Sequence, residues 1–228
     1  MIVSVHLADV GKRSAFGLSP KKLGLATVPG LRYADITITA PLSSQLLPRP
    51  NLGRIGLIAA WDDDQALDDF LARHPLALRL AHGWRVRLQP THIFGAWPPL
   101  SGLPIEEEPM DEDEPVAVLT LGRLRLTRTV RFLRASAAAE GLAVGDPALL
   151  ASTGLARPPG LVATFSLWRS VAEMRAYARG SNDPAHLAAA RAQAARPFHH
   201  ESAFLRFRPY RAEGSWDGRE PLSGKGHD

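Results

Sequence analysis

The sequence contains no cysteine, and this absence excludes several classes of site. Disulfide bonds, zinc–thiolate centres, iron–sulfur clusters, thiolate-ligated haem and haem attached through a C-x-x-C-H motif all require cysteine. A metal ion or a haem iron would therefore be ligated by one of the eight histidines or by carboxylates.

Long apolar segments are absent as well. No stretch approaches the roughly 20 apolar residues of a transmembrane helix, and the N-terminus lacks a charged region followed by an apolar core. We therefore expect a cytoplasmic protein. Peripheral contact with a membrane is compatible with this expectation. Zinc-finger spacings and the aromatic strand signatures of RNA-binding domains are missing too, so nucleic acid is not an expected partner.

The charge is nearly balanced but unevenly distributed. The 27 basic and 23 acidic residues give a net charge of +4, yet seven of the acids lie between Glu106 and Glu114. The rest of the chain is therefore distinctly basic. Most of its basic residues are arginines, which suit fixed contacts with carboxylates or phosphates better than lysines do.

The acidic segment Pro104–Pro115 (PIEEEPMDEDEP) is predicted to be an exposed linker, because like charges repel and its three prolines oppose a helix. It divides the chain into an N-terminal unit, residues 1–103, and a C-terminal unit, residues 116–228. The residues from about Gly214 onward have little apolar content and are expected to form a flexible tail.

The two halves repeat one pattern. An apolar strand that ends in tryptophan, Arg54–Trp61 or Leu161–Trp168, precedes a capping-box-like signature and a helix with an aromatic residue nine positions after the tryptophan. A second, proline-led helical stretch begins at Pro75 in one half and at Pro184 in the other. Closing strands follow at Trp84–Leu88 and Ala203–Arg208.

This repeat predicts the fold. A strand–helix–strand–strand–helix–strand order in each half is typical of the ferredoxin-like, or split βαβ, unit. Each such unit has one open sheet face that needs cover, so the two sheets are expected to pack together as a pseudo-dimeric α+β barrel.

His186 is the leading candidate ligand, since nucleophile triads, Walker loops and G-x-G-x-x-G fingerprints are all missing. Asp183 suits an N-cap and Pro184 a first helical position, which places His186 in the first turn. The positive helix end there keeps the imidazole neutral and able to bind a metal. Ala189 and Ala190 leave room beside it for a flat group such as haem.

Spacing alone favours a simpler interpretation of His186, a half-exposed histidine on an alanine-rich helix. The first half has no histidine at the matching point, however, so this residue is specific to the second copy. One site per chain, in the C-terminal half, is the arrangement that this difference implies.

Two further groups of residues have competing interpretations. His199 and His200 are reserve metal ligands, although neighbouring strand residues point to opposite faces and cannot easily share one ion. Five arginines run from a strand into a helix, where they form either a solvated face paired with acids or a contact for haem propionates or an acidic partner: Arg123, Arg125, Arg128, Arg131 and Arg134.

Residues 162–210 (VATFSLWRSVAEMRAYARGSNDPAHLAAARAQAARPFHHESAFLRFRPY) resemble the spheroidene monooxygenase family of carotenoid ketolases. The likeness continues through residues 214–222 (GSWDGREPL), and in the first half it includes Leu88–Trp97 (LQPTHIFGAW) and the helix after Trp61. Its most specific part is T-F-S-L-W followed by A-R-G and a histidine-bearing helix.

The resemblance implies a haem-containing oxygenase that uses dioxygen and external electrons, from a donor such as a ferredoxin or a reductase, to oxygenate an acyclic carotenoid. It places the family's histidine on His186, and the flanking Arg191, Glu201, Arg206 and Phe207 also match the family's pattern. Together with Ala189 and Ala190, which the helix spacing places beside His186, Arg191 and Arg206 are the predicted cofactor-binding residues. Residues 197–202 read PFHHES where the family usually has an aromatic pair followed by paired acids. The resemblance therefore constrains the cofactor more closely than the substrate.

Four functions are consistent with these observations. The first is a haem monooxygenase that acts on an acyclic carotenoid or another long polyene. The second keeps haem but acts on a different lipophilic or nitrogen-containing metabolite. The third is a non-catalytic barrel that binds haem or another ligand, and the fourth is oxygenation without a cofactor.

Overall fold

A computed structural model describes residues 1–12, 25–45, 49–179 and 198–223 of the chain. The first half contains β1 (Ile2–Asp9), β2 (Leu31–Ala40), β3 (Asn51–Trp61), α1 (Asp64–Arg73), α2 (Pro75–Leu80) and β4 (Trp84–Ala96). The second half contains β5 (Val116–Leu124), α3 (Thr129–Val144), β6 (Leu149–Arg157), β7 (Leu161–Trp168), α4 (Val171–Arg179) and β8 (His199–Glu213).

The strands form one closed, antiparallel, eight-stranded barrel with the order β1-β3-β2-β6-β7-β5-β8-β4. Within it, β4-β1-β3-β2 and β8-β5-β7-β6 are two ferredoxin-like sheets of identical order. The predicted pseudo-dimeric α+β barrel is thus confirmed, and both tryptophan-ended segments that led to it are strands.

Two seams of unequal length join the sheets. Strands β4 and β8 are paired over eleven residue pairs, from Arg85 with Glu213 to Ala96 with Ser202. Strands β2 and β6 share only three pairs, from Ile38 with Ala156 to Ala40 with Gly154. Both closing strands are longer than the sequence predicts, because they continue past their own sheets to pair with each other.

The barrel interior is a packed apolar core. Alternate residues of the strands point inward, as Val3, Val5 and Leu7 do in β1. Trp97 follows the end of β4 and Trp216 follows the end of β8, and both side chains belong to this core. Because β4 and β8 are antiparallel, the two tryptophans close opposite ends of the barrel.

The outer face of the first sheet is covered by helices α1 and α2. Its cluster joins strand residues such as Leu57 and Trp61 to Phe70 of α1 and Leu76 of α2. The N-cap of α1 is Asp63, whose carboxylate accepts the Ala66 amide at 2.8 Å. The carboxylate of Asp62, one residue earlier, does not cap the helix and is paired with Arg32 instead.

Helix α4 begins with one of the two hydrogen bonds of a capping box. The Ser170 hydroxyl accepts a hydrogen bond from the Glu173 amide at 3.1 Å, and it donates one to the Glu173 carboxylate, also at 3.1 Å. Residues 104–115 form neither helix nor strand, and they contact α4 through an ion pair between Glu112 and Arg175. Among the described residues, no helix is both long and apolar enough to cross a bilayer.

Candidate functional site: the outer face of the second sheet

The outer face of the second sheet differs from that of the first in how far it is covered. Its apolar cluster, which includes Val116, Val118, Trp168 and Met174, occupies one end of the sheet only. Beyond that cluster the strand registers align small and polar residues across β7, β5 and β8. We call this surface the outer platform: Thr120, Gly122, Thr164, Ser202, Phe204 and Arg206.

The internal repeat shows what the outer platform lacks. Ile2 pairs with Trp61 and Val116 with Trp168, and these two pairs bring the halves into register. Thr164 then corresponds to Leu57 of the first sheet, which is fully buried beneath the helices. In the first sheet, the residues that match Thr120 and Gly122 are also buried. In the second sheet, Thr120 itself and Ser202 are exposed. Among the residues that the structure describes, the platform therefore has the floor of a covered face but no apolar cover like that of the first sheet.

Arg206 is the charged group of the platform, and its equivalent in the first sheet is Arg87. The register fixes this equivalence, because Arg87 pairs with Ser4 as Arg206 pairs with Val118. Arg87 is buried and forms ion pairs with Asp64, at 2.5 Å, and with Asp68, both on α1. The carboxylates neutralise its charge.

Arg206 has no such neutralisation on α4. The positions that match Asp64 and Asp68 carry Val171 and Arg175. The Nε atom of Arg206 is buried and has no hydrogen-bond partner in the described part of the chain. Burial, and after it the charge of Arg175, lowers the pKa of Arg206. A cation in this situation is suited to bind an anionic group of a ligand.

His199 borders the platform beside Gly122. A Cβ atom on Gly122 would lie 2.5 Å from the His199 ring, so only glycine permits this contact. Phe132 of α3 packs edge-on against the same ring, with centroids 5.3 Å apart. Burial lowers the pKa of His199, which keeps its imidazole neutral. His200, the next residue, is exposed.

Two residues of β4 form the opposite border. His92 pairs with Arg206 and Phe94 with Phe204, so both side chains point to the platform side of the sheet. Phe94 is 72% exposed, an unusual state for a large aromatic side chain in the middle of a strand pair. Burial, followed by the charges of Arg206 and Arg175, lowers the pKa of His92.

Most of the predicted cofactor-binding residues lie outside the described residues: His186, Ala189, Ala190 and Arg191. They belong to the connection between α4 and β8. The equivalent connection of the first half contains α2, whose buried Leu76 and Leu80 cover the outer face of that sheet. Arg206 is the predicted site residue that the structure describes, and it lies on the platform.

The other histidine prediction concerned His199 and His200 as reserve ligands. Of these two, only His199 contacts the platform. No three histidine or acidic side chains come close enough to hold a metal ion between them within the described ranges.

Three of the five arginines near α3 have contacts that the structure describes, each in different surroundings. Arg123 forms an ion pair with Glu201 at 3.0 Å, whereas Arg125 donates to the His199 carbonyl and Arg131 lies over the Phe198 ring. These contacts brace the start of β8 against α3.

Sequence reasoning missed Gly122, Thr120 and Phe94 as platform residues. The available signal was the internal repeat itself. Aligning the two tryptophan-ended strands places Thr164 at the position equivalent to Leu57. A polar residue on one copy of the face, where the other copy is apolar, marks the face that has a different function.

Comparison with known proteins supports a specific family. No family model matches the chain. The spheroidene monooxygenase of Rubrivivax gelatinosus is 34% identical over 198 residues, covering 84% of this chain and 73% of the relative. The spheroidene monooxygenase of Rhodobacter capsulatus is 31% identical over 188 residues, covering 78% and 76%.

A solved structure of an aldoxime dehydratase in complex with butyraldoxime is similar in fold. It superposes with a TM-score of 0.54 at 11% identity, over 92% of this chain and 79% of that one. At this identity the likeness supports the barrel fold alone. The sequence relatives support more, and the chain belongs to the spheroidene monooxygenase family and is an oxygenase.

Proposed function

We propose that this chain is a haem-dependent monooxygenase that binds haem on the outer platform and oxygenates an acyclic carotenoid. The observation that carries the proposal is the difference between two equivalent sheet faces. One face is filled largely by apolar side chains and has a neutralised arginine. Within the described part of the chain, the other face carries small and polar residues, and a buried guanidinium nitrogen there has no hydrogen-bond partner.

The described residues fit haem in shape and charge. The porphyrin is flat with two carboxylates at one edge, and the platform offers a floor of small side chains beside the Arg206 cation. Arg206 would hold a propionate, and Phe94 and Phe204 would contact the ring edges. Haem, when bound, would supply an iron centre at which dioxygen is activated.

The remaining haem contacts in this proposal come from the connection between α4 and β8. His186 would ligate the iron, Ala189 and Ala190 would leave space for the ring, and Arg191 would provide a second cation. The support for this arrangement is the pseudo-symmetry, since the equivalent connection of the first half contributes α2 to the cover of its sheet.

The substrate proposal follows the family. The relatives from Rubrivivax gelatinosus and Rhodobacter capsulatus are named spheroidene monooxygenases. Monooxygenation inserts one oxygen atom of dioxygen into a carbon–hydrogen bond. The other atom leaves as water, formed with two electrons from a donor such as a ferredoxin or a reductase and two protons from solvent. Apolar walls such as Phe94 would exclude water from the reacting carbon.

The ligand assignment is tested with three histidine variants. We expect the purified protein to show a haem absorption band that is lost in His186→Ala and retained in His199→Ala and His200→Ala. The two β8 variants are matched controls, because they remove an imidazole from the platform border or from the surface. A normal histidine-ligated spectrum in His186→Ala, together with its loss in His200→Ala, would move the ligand to β8.

The substrate is tested by turnover. We expect the haem-loaded protein, given a reductant and ¹⁸O₂, to convert spheroidene into a product that carries one labelled oxygen atom. Protein that retains haem but leaves spheroidene unchanged would favour another lipophilic substrate or a binding function. Protein that never acquires haem but still oxygenates spheroidene would remove the cofactor from the proposal.

A further inference from the structure

Two large apolar side chains are exposed where β5 leads into α3. Leu126 is 59% exposed in the turn before the helix, and Val130 is 60% exposed in its first turn. The exposed Arg134 follows four residues later. Residues four apart lie on one side of a helix, so Val130 and Arg134 form an exposed stripe on α3, and the exposed Leu126 lies in the turn directly before it.

Arginines surround this stripe, and acids are absent from its stretch of sequence. Residues 116–139 contain five arginines and no aspartate or glutamate. Arg123 is ion-paired with Glu201 and lies at the end of β5, next to the turn that carries Leu126. We call this surface the arginine-flanked apolar patch: Arg123, Leu126, Arg128, Val130 and Arg134.

The patch is connected directly to the outer platform. Phe132, in the turn of α3 that carries Val130, packs its ring against His199 with centroids 5.3 Å apart. The His199 ring in turn lies against Gly122 on the platform floor. One side of the first turns of α3 therefore faces the candidate site, and the other presents the exposed stripe.

We propose that the arginine-flanked apolar patch docks on an anionic lipid bilayer and places the outer platform next to the membrane. Apolar side chains enter the region between headgroups and acyl chains, while arginines bind lipid phosphates. A long polyene dissolves in the bilayer core, so a site at the membrane surface can take it up without its passing through water. The functional reason for this docking, which is uptake of the polyene from the bilayer, rests on the proposed carotenoid substrate.

The exposed apolar residues favour a bilayer over an acidic protein as the partner. An acidic electron donor would need the arginines but would gain little from Leu126 and Val130 at the centre of the patch. A bilayer uses both kinds of side chain. The two partners therefore predict different results when the apolar and the basic residues are changed separately.

The test is sedimentation of the full-length protein with lipid vesicles. We expect binding to phosphatidylcholine vesicles that contain about 30% phosphatidylglycerol, and weak binding to phosphatidylcholine alone. Leu126→Ser/Val130→Ser should weaken binding at least about tenfold because it removes the apolar contact. Arg128→Gln/Arg134→Gln should weaken it about fivefold for each arginine and remove the preference for anionic lipid.

A matched control exists on the first half of the molecule. Helix α2 also presents neighbouring exposed apolar and basic residues, Leu78 and Arg79, and Leu78→Ser/Arg79→Gln should bind vesicles like the unchanged protein. Circular dichroism on every variant checks that the barrel is intact.

Either of two results would overturn the proposal. One is vesicle binding that is unchanged in Leu126→Ser/Val130→Ser. The other is the absence of binding to the anionic vesicles by the unchanged protein. The measurement needs neither haem nor carotenoid, so a failure of the proposed function leaves it interpretable.

Discussion

At the scale of single residues, Arg87 is a structural cation, whereas Arg206 is the cation proposed to bind a ligand. Arg87→Gln removes two ion pairs of a buried guanidinium and should lower the free energy of unfolding by about 2 kcal/mol, or the melting temperature by roughly 4–8 °C. Arg206→Gln removes a cation that forms no ion pair with α4 and should leave the melting temperature unchanged while haem is lost more readily on gel filtration.

Thermal unfolding and haem absorbance of the two variants measure this contrast, with each variant as the other's control. If Arg206→Gln destabilised the fold as much as Arg87→Gln did and kept its haem, Arg206 would be a structural residue.

His6 gives a residue-scale prediction for pH. The Trp61 indole donates to the Ser4 hydroxyl at 2.8 Å, and that hydroxyl lies 3.0 Å from Nε2 of His6. Burial, followed by the charges of Arg85 and Arg87, lowers the pKa of His6 to about 3. The unfolded chain therefore binds a proton below its usual pKa of about 6.5, and the folded chain does not.

Stability is consequently lost as the pH falls from about 6.5 towards 3, by up to about 1.4 kcal/mol per pH unit from this residue. His6→Gln should reduce that slope, whereas the exposed His200→Gln should retain it. Urea unfolding at a series of pH values measures the slopes. Equal slopes in His6→Gln and the unchanged protein would show that His6 is protonated in the folded state.

At the scale of elements, the contact of the His199 ring of β8 with β5 depends on Gly122. A methyl group there would meet the His199 ring at 2.5 Å and should push it off the platform. The displaced ring gains solvent, so Gly122→Ala should raise the pKa of His199 towards its ordinary value. Titration of the His199 ring by NMR measures this shift.

Gly102→Ala is the matched control for this change. A Cβ on Gly102 would meet nothing within 4 Å, and the residue lies in an exposed loop. An unchanged His199 titration in Gly122→Ala would mean that the ring does not rest on β5.

The elements also show which structure could be predicted from sequence. Strands β3 and β7 were recognisable, because each is an apolar run that ends in a buried tryptophan before a capping signature. Strand β2 was missed although residues 34–40 alternate apolar and polar side chains. Its polar residues Asp35, Thr37 and Thr39 are buried, whereas the apolar Ile36 packs outward under the helices, so alternation alone does not tell which face is the barrel interior.

At the scale of the whole molecule, the repeat predicts the barrel but not the site. The strand order follows from two copies of a known unit, and each copy is recognised from its own stretch of sequence. The outer platform instead depends on which residues of β4, β5, β7 and β8 are side by side, and a shift of one residue would turn every side chain to the other face. Phe94 and Arg206 are 112 positions apart, and only the register of the longer seam brings them to one surface.

The unequal seams give the last prediction. The β2–β6 seam has three residue pairs, and Asp35 reinforces it from inside the barrel. The Asp35 carboxylate, 7% exposed, lies 2.6 Å from the Arg157 guanidinium and accepts a hydrogen bond from Tyr33. Asp35→Asn keeps the shape but removes the charge. It should cost about 1–2 kcal/mol, because Arg157 is 41% exposed and water compensates part of its charge.

Hydrogen exchange localises the effect. In Asp35→Asn the amides of residues 38–40 and 154–156 should exchange faster, while those of the β4–β8 seam stay protected. Glu213→Gln is the matched control, since it breaks the ion pair between Arg85 and Glu213 on a seam held by eleven residue pairs. That variant should show little local change. Equal acceleration at both seams in Asp35→Asn would mean that the barrel opens as one unit and that the short seam is not its weakest point.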